Sequence, residues 1–204
     1  MLRPQRRSRS PASETRGHHH TTEGRIETVN VYVGVDPGKK GGIAGIDEAG
    51  KLLFALRMPV TGTTKDDDYN VDAIVDYISR ATHIAIEKQM PIPPLGEPCR
   101  VCHRRPSQGT ASIMKQGQGF GMLIGVAAAT KCPRTIVAPQ TWQKEMLADK
   151  PKGRDAIEAA KLSRARELWP GTDFFKFKAD QGVADAALLA EYCRRRAGIL
   201  ESAR

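Results

Sequence analysis

The sequence predicts an α/β domain: a mixed five-stranded sheet, its first three strands antiparallel, flanked by helices. Two patterns carry this reading. Residues 29–60 form short apolar or alternating stretches broken by glycine-containing turns. Residues 70–196 then interleave two further apolar runs with amphipathic helical segments. A chain of 204 residues with 40% hydrophobic content can bury a substantial core as one domain.

The first strand is the clearest element. Val29, Val31, Val33 and Val35 alternate with Asn30, Tyr32, Gly34 and Asp36, the period-two, β-branched signature of a strand. A turn over 37–42 leads into a second strand (42–47), and a turn over 48–50 into a third (52–60). Connections this short join antiparallel neighbours. Residues 61–70 read as a polar loop, after which Asn70 is placed to cap a helix whose apolar face is Val71, Ile74, Val75 and Ile78. A fourth strand covers 83–89. Five prolines (91, 93, 94, 98 and 106) make 90–106 irregular and exposed. A long helix starts at Ser107 or Thr110 and reaches about Thr130, with GQGFG (117–121) as its weak point. A fifth strand (134–139), a short helix around 141–147, a helix over 155–169 and a last helix from near Asp180 complete the domain. No internal repeat is present.

Charge narrows the class of partner. Lys and Arg number 32 against 23 Asp and Glu, a net charge of +9. Residues 1–28 hold six Arg and three Glu, and residues 194–204 hold four Arg and one Glu, which leaves +3 for 29–193. The excess points to a polyanionic partner, and most of it lies in end segments. Residues 1–25, rich in Arg, Ser, Pro and Thr, cannot bury enough to offset their ordering entropy and are expected to be disordered. His18, His19 and His20 belong to that solvated tail, with metal binding as the rival reading. The expected boundaries are a basic tail over 1–28, a folded domain over 29–196 and a C-terminal tail over 197–204. No apolar run is long enough to span a membrane, and residues 1–28 lack the apolar core of a secretory signal. Pro4 and Pro11 also disfavour the amphipathic helix of an organellar transit peptide. Cys99, Cys102, Cys132 and Cys193 are too few and too uneven for a disulfide scaffold. Reduced thiols and a cytoplasmic location are therefore expected.

Three carboxylates stand where structure alone would not ask for them. Asp36 ends the valine strand, Glu87 ends the strand containing Ile84 and Ile86, and Asp185 lies early in an otherwise apolar helix. Burying an unpaired carboxylate is costly, so such positions need a partner or a cation. Converging carboxylates supply hard oxygen ligands for Mg²⁺ or Mn²⁺. Each also has a structural explanation: a turn residue in Asp-Pro-Gly for Asp36, a surface Lys partner for Glu87, the helix dipole for Asp185. The segment Cys99-Arg-Val-Cys102-His103 contains permitted zinc ligands. Its spacing is awkward, and Cys132 or a second copy would have to complete the site, so unligated loop thiols are the competing reading.

The strings VGVDPGKKGGIAGID (33–47), IAIEKQ (84–89) and GVADAALLAEY (182–192) together resemble RuvC-type Holliday junction resolvases, particularly those of phages and bacteria. The stretches over 108–129 and 137–147 are similar too, so the resemblance covers about residues 29–196. It implies an RNase H-like fold, a homodimer, and a crossover junction endodeoxyribonuclease that nicks two opposing strands of a four-way DNA junction. It also implies two Mg²⁺ or Mn²⁺ ions per active site and in-line attack of an activated water, leaving 5′-phosphate and 3′-hydroxyl ends without a covalent intermediate. In that scheme Asp36 bridges both ions, while Glu87 and Asp185 hold one each. The family has a fourth ligand three or four residues before the last-helix aspartate. Here those positions are Gly182 and Gln181, which leaves Asp180 as the candidate.

Candidate DNA contacts are Lys39 and Lys40 in the turn after Asp36, with Lys88, Lys115, Lys144, Lys150 and Lys152 as further phosphate partners. Taken singly, each is equally well an ordinary solvated lysine. Resolvases wedge an apolar side chain into the junction soon after the strand-four glutamate. Met90 stands at that place and Phe120 is a second candidate, with core packing as the alternative for both. Trp142 reads as packing. Three other classes compete. An actin-like ATPase is disfavoured because it needs two domains. A noncatalytic DNA-binding module is opposed by the three carboxylates. A nuclease acting on RNA–DNA hybrids or single strands stays open.

Overall fold

The computed structural model describes residues 29–62, 67–89, 109–147 and 151–202. Five strands form the main sheet: β1 (Tyr32–Asp36), β2 (Gly42–Ile46), β3 (Leu52–Arg57), β6 (His83–Glu87) and β7 (Arg134–Val137). Between β3 and β6 lie a small ribbon, β4 (Val60–Thr61) with β5 (Asp68–Tyr69), and helix α1 (Val71–Ile78). Helices α2 (Thr110–Ala129), α3 (Pro139–Met146), α4 (Arg154–Leu168) and α5 (Gln181–Ser202) complete the chain. The spatial order is β3-β2-β1-β6-β7, with β1–β2 and β2–β3 antiparallel and β1–β6 and β6–β7 parallel. This is the mixed sheet, antiparallel in its first three strands, that the sequence predicts.

Strand parity divides the core in two. Val33, Val35, Ile43, Ile84 and Ile86 point to one face, where Ile74 and Ile78 of α1 and Leu123 and Ala127 of α2 cover them. Tyr32, Ala44 and Ala85 point to the other, against Ala186, Leu189 and Ala190 of α5. Covering both faces buries Tyr32 and Gly34 as well as the valines with which they alternate. Gly34 permits the close approach of α5: a Cβ there would overlap the backbone of Ala186 and Ala190. Asn70 caps α1, its side-chain oxygen accepting from Ala73 N at 3.2 Å.

Two local expectations change. Residues 61–70 contain the β4–β5 ribbon, because Tyr69 is half-buried and packs on the second core cluster. The glycines at 117, 119 and 121 do not interrupt α2. Gly119 faces the Tyr69 ring, where a Cβ would collide, so the missing side chain serves packing. Helix α5 continues through Ser202, with Ala197 buried. Among the described residues no helix is long and apolar enough to cross a membrane.

Candidate active site

The same parity that builds the core places the carboxylates. Asp36 follows Tyr32 and Gly34 on the α5 face of β1, and Glu87 follows His83 and Ala85 on the α5 face of β6. The β1–β6 register pairs Val35 with Ile86, so Asp36 and Glu87 end neighbouring parallel strands side by side. The carboxyl ends of parallel strands are where open α/β sheets build their sites. Asp185, in the first turns of α5, faces them from the covering helix.

The three carboxylates interact, Glu87 and Asp185 being buried and Asp36 half-buried. Glu87 is 8% exposed and Asp185 7%. Burial pushes the Asp36 carboxyl well above its ordinary range, with repulsion from Asp185 and Glu87 and a hydrogen bond to Glu87 adding to it. Burial likewise raises Glu87, partly offset by hydrogen bonds to Trp142 and Asp36. The Trp142 indole N–H donates to Glu87 Oε1 at 3.4 Å, so this fully buried tryptophan of α3 also orients a carboxylate. Burial raises Asp185 to about 7 against the pull of Lys161. Lys161 Nζ lies 2.5 Å from Asp185 Oδ2 and 3.5 Å from Glu158 Oε1, and its residue is only 4% exposed. Burial alone would lower the lysine; Asp185 outweighs it and holds the ammonium above its usual value. The second Asp185 oxygen, Oδ1, is buried without a hydrogen-bond partner.

Divalent metal chemistry can be tested against this donor set. Asp36 and Glu87 share a hydrogen bond, and Asp185 is drawn onto Lys161. Among the described residues no three acidic, His or Cys side chains stand as a ready-made ligand group. The donor types nonetheless fit a hard cation. Three carboxylates crowd together, and one buried oxygen, Asp185 Oδ1, lacks any partner. Loss of the proton shared by Asp36 and Glu87 would free two more.

A pH dependence follows. These carboxyls hold protons in the folded state at pH values where the unfolded chain has released them. The Asp185 contribution to the stability of the metal-free protein therefore falls as pH rises from the ordinary aspartate range through about 7. The melting temperature in EDTA should be higher at pH 5 than at pH 8. Asp185→Asn should flatten that difference; an unchanged slope would refute the assignment.

The remaining sequence candidates are dispersed. Asp180 closes a short 3₁₀ turn (Lys178–Asp180), where Arg57 Nη2 donates to Oδ1 and the Phe177 N–H to Oδ2, both at 2.9 Å. Those partners outweigh burial and hold its carboxyl below the ordinary range. Both its oxygens are thus engaged away from Asp36, Glu87 and Asp185. Lys39 is tied to Asp67, 2.7 Å from Oδ1, and lines a cleft of about 510 Å³ with Tyr69, Lys115 and Gln118. Lys40, Lys88, Lys115, Lys144 and Lys152 are exposed. Phe120 is half-buried against the second core cluster. Met90, Cys99, Cys102, His103 and Lys150 lie outside the described residues. Cys132 and Cys193 are free and buried, and burial pushes the Cys193 thiol up to about 12.

Several site residues escaped the sequence reading. Lys161 carried a usable signal: it is a charge on the buried stripe of α4 that also contains Ala165. Arg57 carried none, since its partner Asp180 is distant in sequence; Glu158 matters through Lys161, one helical turn further along α4. A second cleft, of about 520 Å³, opens between α4 and the start of α5, lined by Arg154, Glu158, Lys178 and Gln181 among others.

The comparison with solved structures now decides the architecture. The chain superposes on Thermus thermophilus RuvC in complex with Holliday junction substrate with a TM-score of 0.51 and 17% identity, covering 83% of this chain and 96% of that one. The fold is RuvC-like. A second Thermus thermophilus RuvC structure gives a TM-score of 0.43 at 16% identity, covering 82% of this chain and 96% of the other. No protein-family model and no curated protein sequence matches the chain. The RuvC-like fold sets Asp36, Glu87 and Asp185 at one end of the sheet.

Proposed function

We propose that this protein is a divalent-metal-dependent endonuclease that resolves four-way DNA junctions by paired nicks, acting as a homodimer. The observation that carries the reading is the carboxylate group formed by half-buried Asp36 with buried Glu87 and Asp185 on a RuvC-like sheet. The basic sequence and the bound junction of the Thermus thermophilus protein favour DNA as the polyanion. Two identical sites in a dimer match the near two-fold symmetry of an open junction.

In this reading Asp36, Glu87 and Asp185 hold Mg²⁺ or Mn²⁺, and Asp180 stays a candidate only where Arg57 releases it. The cation, when bound, supplies positive charge for the phosphate and eases attack by water. Trp142 fixes the Glu87 carboxylate through its N–H, and Lys161 fixes Asp185. Lys40 lies in the turn after Asp36, and Gly41 tucks against the Asp36 backbone carbonyl and, less closely, its carboxyl carbon, leaving no room for a side chain there. Phe120 and Met90 are the candidates for an apolar wedge.

The test offers the protein and Mg²⁺ a synthetic four-way junction, a linear duplex and an RNA–DNA hybrid. Paired nicks confined to the junction are expected. Equal cutting of the hybrid would replace the reading with a broader nuclease, and binding without any cutting would replace it with a DNA-binding module. The cleft between α4 and α5 adds a second expectation. Arg154→Ala with Lys178→Ala should weaken junction binding and lower the log–log salt slope by about 2, since each phosphate contact contributes roughly 0.9. An unchanged slope would remove that cleft from the DNA path.

A further inference from the structure

We propose that the carboxylate site takes one divalent cation, not two, and that the Lys161 ammonium fills the place a second would occupy. The inference rests on the metal-dependent reading above and concerns how many ions that site accepts. Its first support is position. Lys161 Nζ sits 2.5 Å from Asp185 Oδ2, is also within 3.5 Å of Glu158, and lies 6.0 Å from the centre of the Trp142 ring. The indole of that tryptophan donates to Glu87. The lysine therefore contacts both flanks of the carboxylate group and is buried like a core residue.

The second support is the division of Asp185. One oxygen is committed to the ammonium and the other has no partner. Once the hydrogen bond between Asp36 and Glu87 is given up, the free Asp185 oxygen would join them as a third carboxylate donor to a single ion, with water or phosphate oxygens filling the rest of its shell. A second ion would have to take Oδ2 from Lys161 and lie against a buried positive charge.

The third support is the absence of a replacement ligand. Gly182 lies one helical step before Asp185, but a Cβ there would overlap the carbonyl of Lys40 and the backbone of Gly41. No liganding side chain fits at that position. Gln181 is a poor ligand for Mg²⁺, and Asp180 already accepts from Arg57 and the Phe177 N–H. The positive charge that a second cation would bring is supplied permanently by the chain.

Mn²⁺ titration of the full-length protein, followed by electron paramagnetic resonance, tests this without reference to cutting. The wild type should saturate at one Mn²⁺ per chain and give the spectrum of an isolated ion. Lys161→Met keeps the apolar stem and removes the charge; it should raise the stoichiometry to two and produce the broadened signal of a coupled pair. Lys161→Arg should stay at one. A coupled pair in the wild type, or an unchanged single ion in Lys161→Met, would overturn the inference while leaving the nuclease reading intact. No Mn²⁺ binding by the wild type would overturn the metal-dependent reading and this inference with it. If Lys161→Met does not fold, as judged by circular dichroism, Lys161→Gln takes its place under the same criteria.

Discussion

Asp36→Asn should abolish junction cutting while leaving junction binding nearly unchanged. Removing an outer partner of a metal ligand typically costs 10- to 100-fold, so losing a carboxylate proposed to hold the cation itself should lower the rate by at least about 100-fold. The substitution keeps the shape of the side chain and its place at the end of β1. It removes a charge that burial and two neighbouring carboxylates oppose. The variant should therefore melt at a higher temperature than wild type at pH 8 without metal, a gain in stability at the expense of activity. Denaturing gels of a labelled junction with Mg²⁺, run beside mobility shifts, would read both arms. A variant that still cuts at the wild-type rate would remove Asp36 from the chemistry. One that cuts poorly and also fails to bind would point to a structural role.

The sequence revealed the frame of this site more fully than its interior. Asp36 and Glu87 were legible because each terminates a short apolar strand, and strand parity converts that position into a shared face once the two strands pair. Asp185 was legible as a lone acid among alanines and leucines. The ribbon carrying Tyr69 was not, since two-residue strands leave no periodic trace and form only because the ring finds a place against Gly119. The lysines resisted reading for a related reason. Lys39 and Lys161 have similar long stems, yet one is tied to Asp67 in a surface turn and the other is sealed beneath Trp142. Their partners come from tertiary packing, which a local pattern does not encode. Lys161 shows where a signal survives: a charge on the buried stripe of a helix needs a buried counter-charge.

Gly182→Asp brings these strands of reasoning together. On sequence grounds it looks like a repair, since it places an acidic residue one helical turn before Asp185, where the RuvC-type resolvases that the sequence resembles carry a ligand. The packing argues the opposite. Helix α5 begins against the turn that follows β1, and position 182 meets Lys40 and Gly41 through backbone atoms, which cannot move aside as a flexible side chain would. A glycine near a helix start sacrifices up to about 1 kcal/mol of helix propensity relative to alanine, so its presence there reflects this contact. Adding a carboxylate forces the turn and the helix apart. The expected loss is about 3 kcal/mol, the upper part of the range for overpacking, with a further electrostatic cost because three acidic groups already crowd the site. Urea denaturation at pH 7.5 would measure it. Gly34→Ala supplies the control: it should cause a comparable loss through the same helix, where a Cβ overlaps Ala186 and Ala190, without adding charge. If Gly182→Asp instead folds with wild-type stability and binds a second Mn²⁺, the close contact is not the constraint on ligand number. If both glycine variants are destabilised, the approach of α5 to the β1 turn is what keeps a liganding side chain out of position 182.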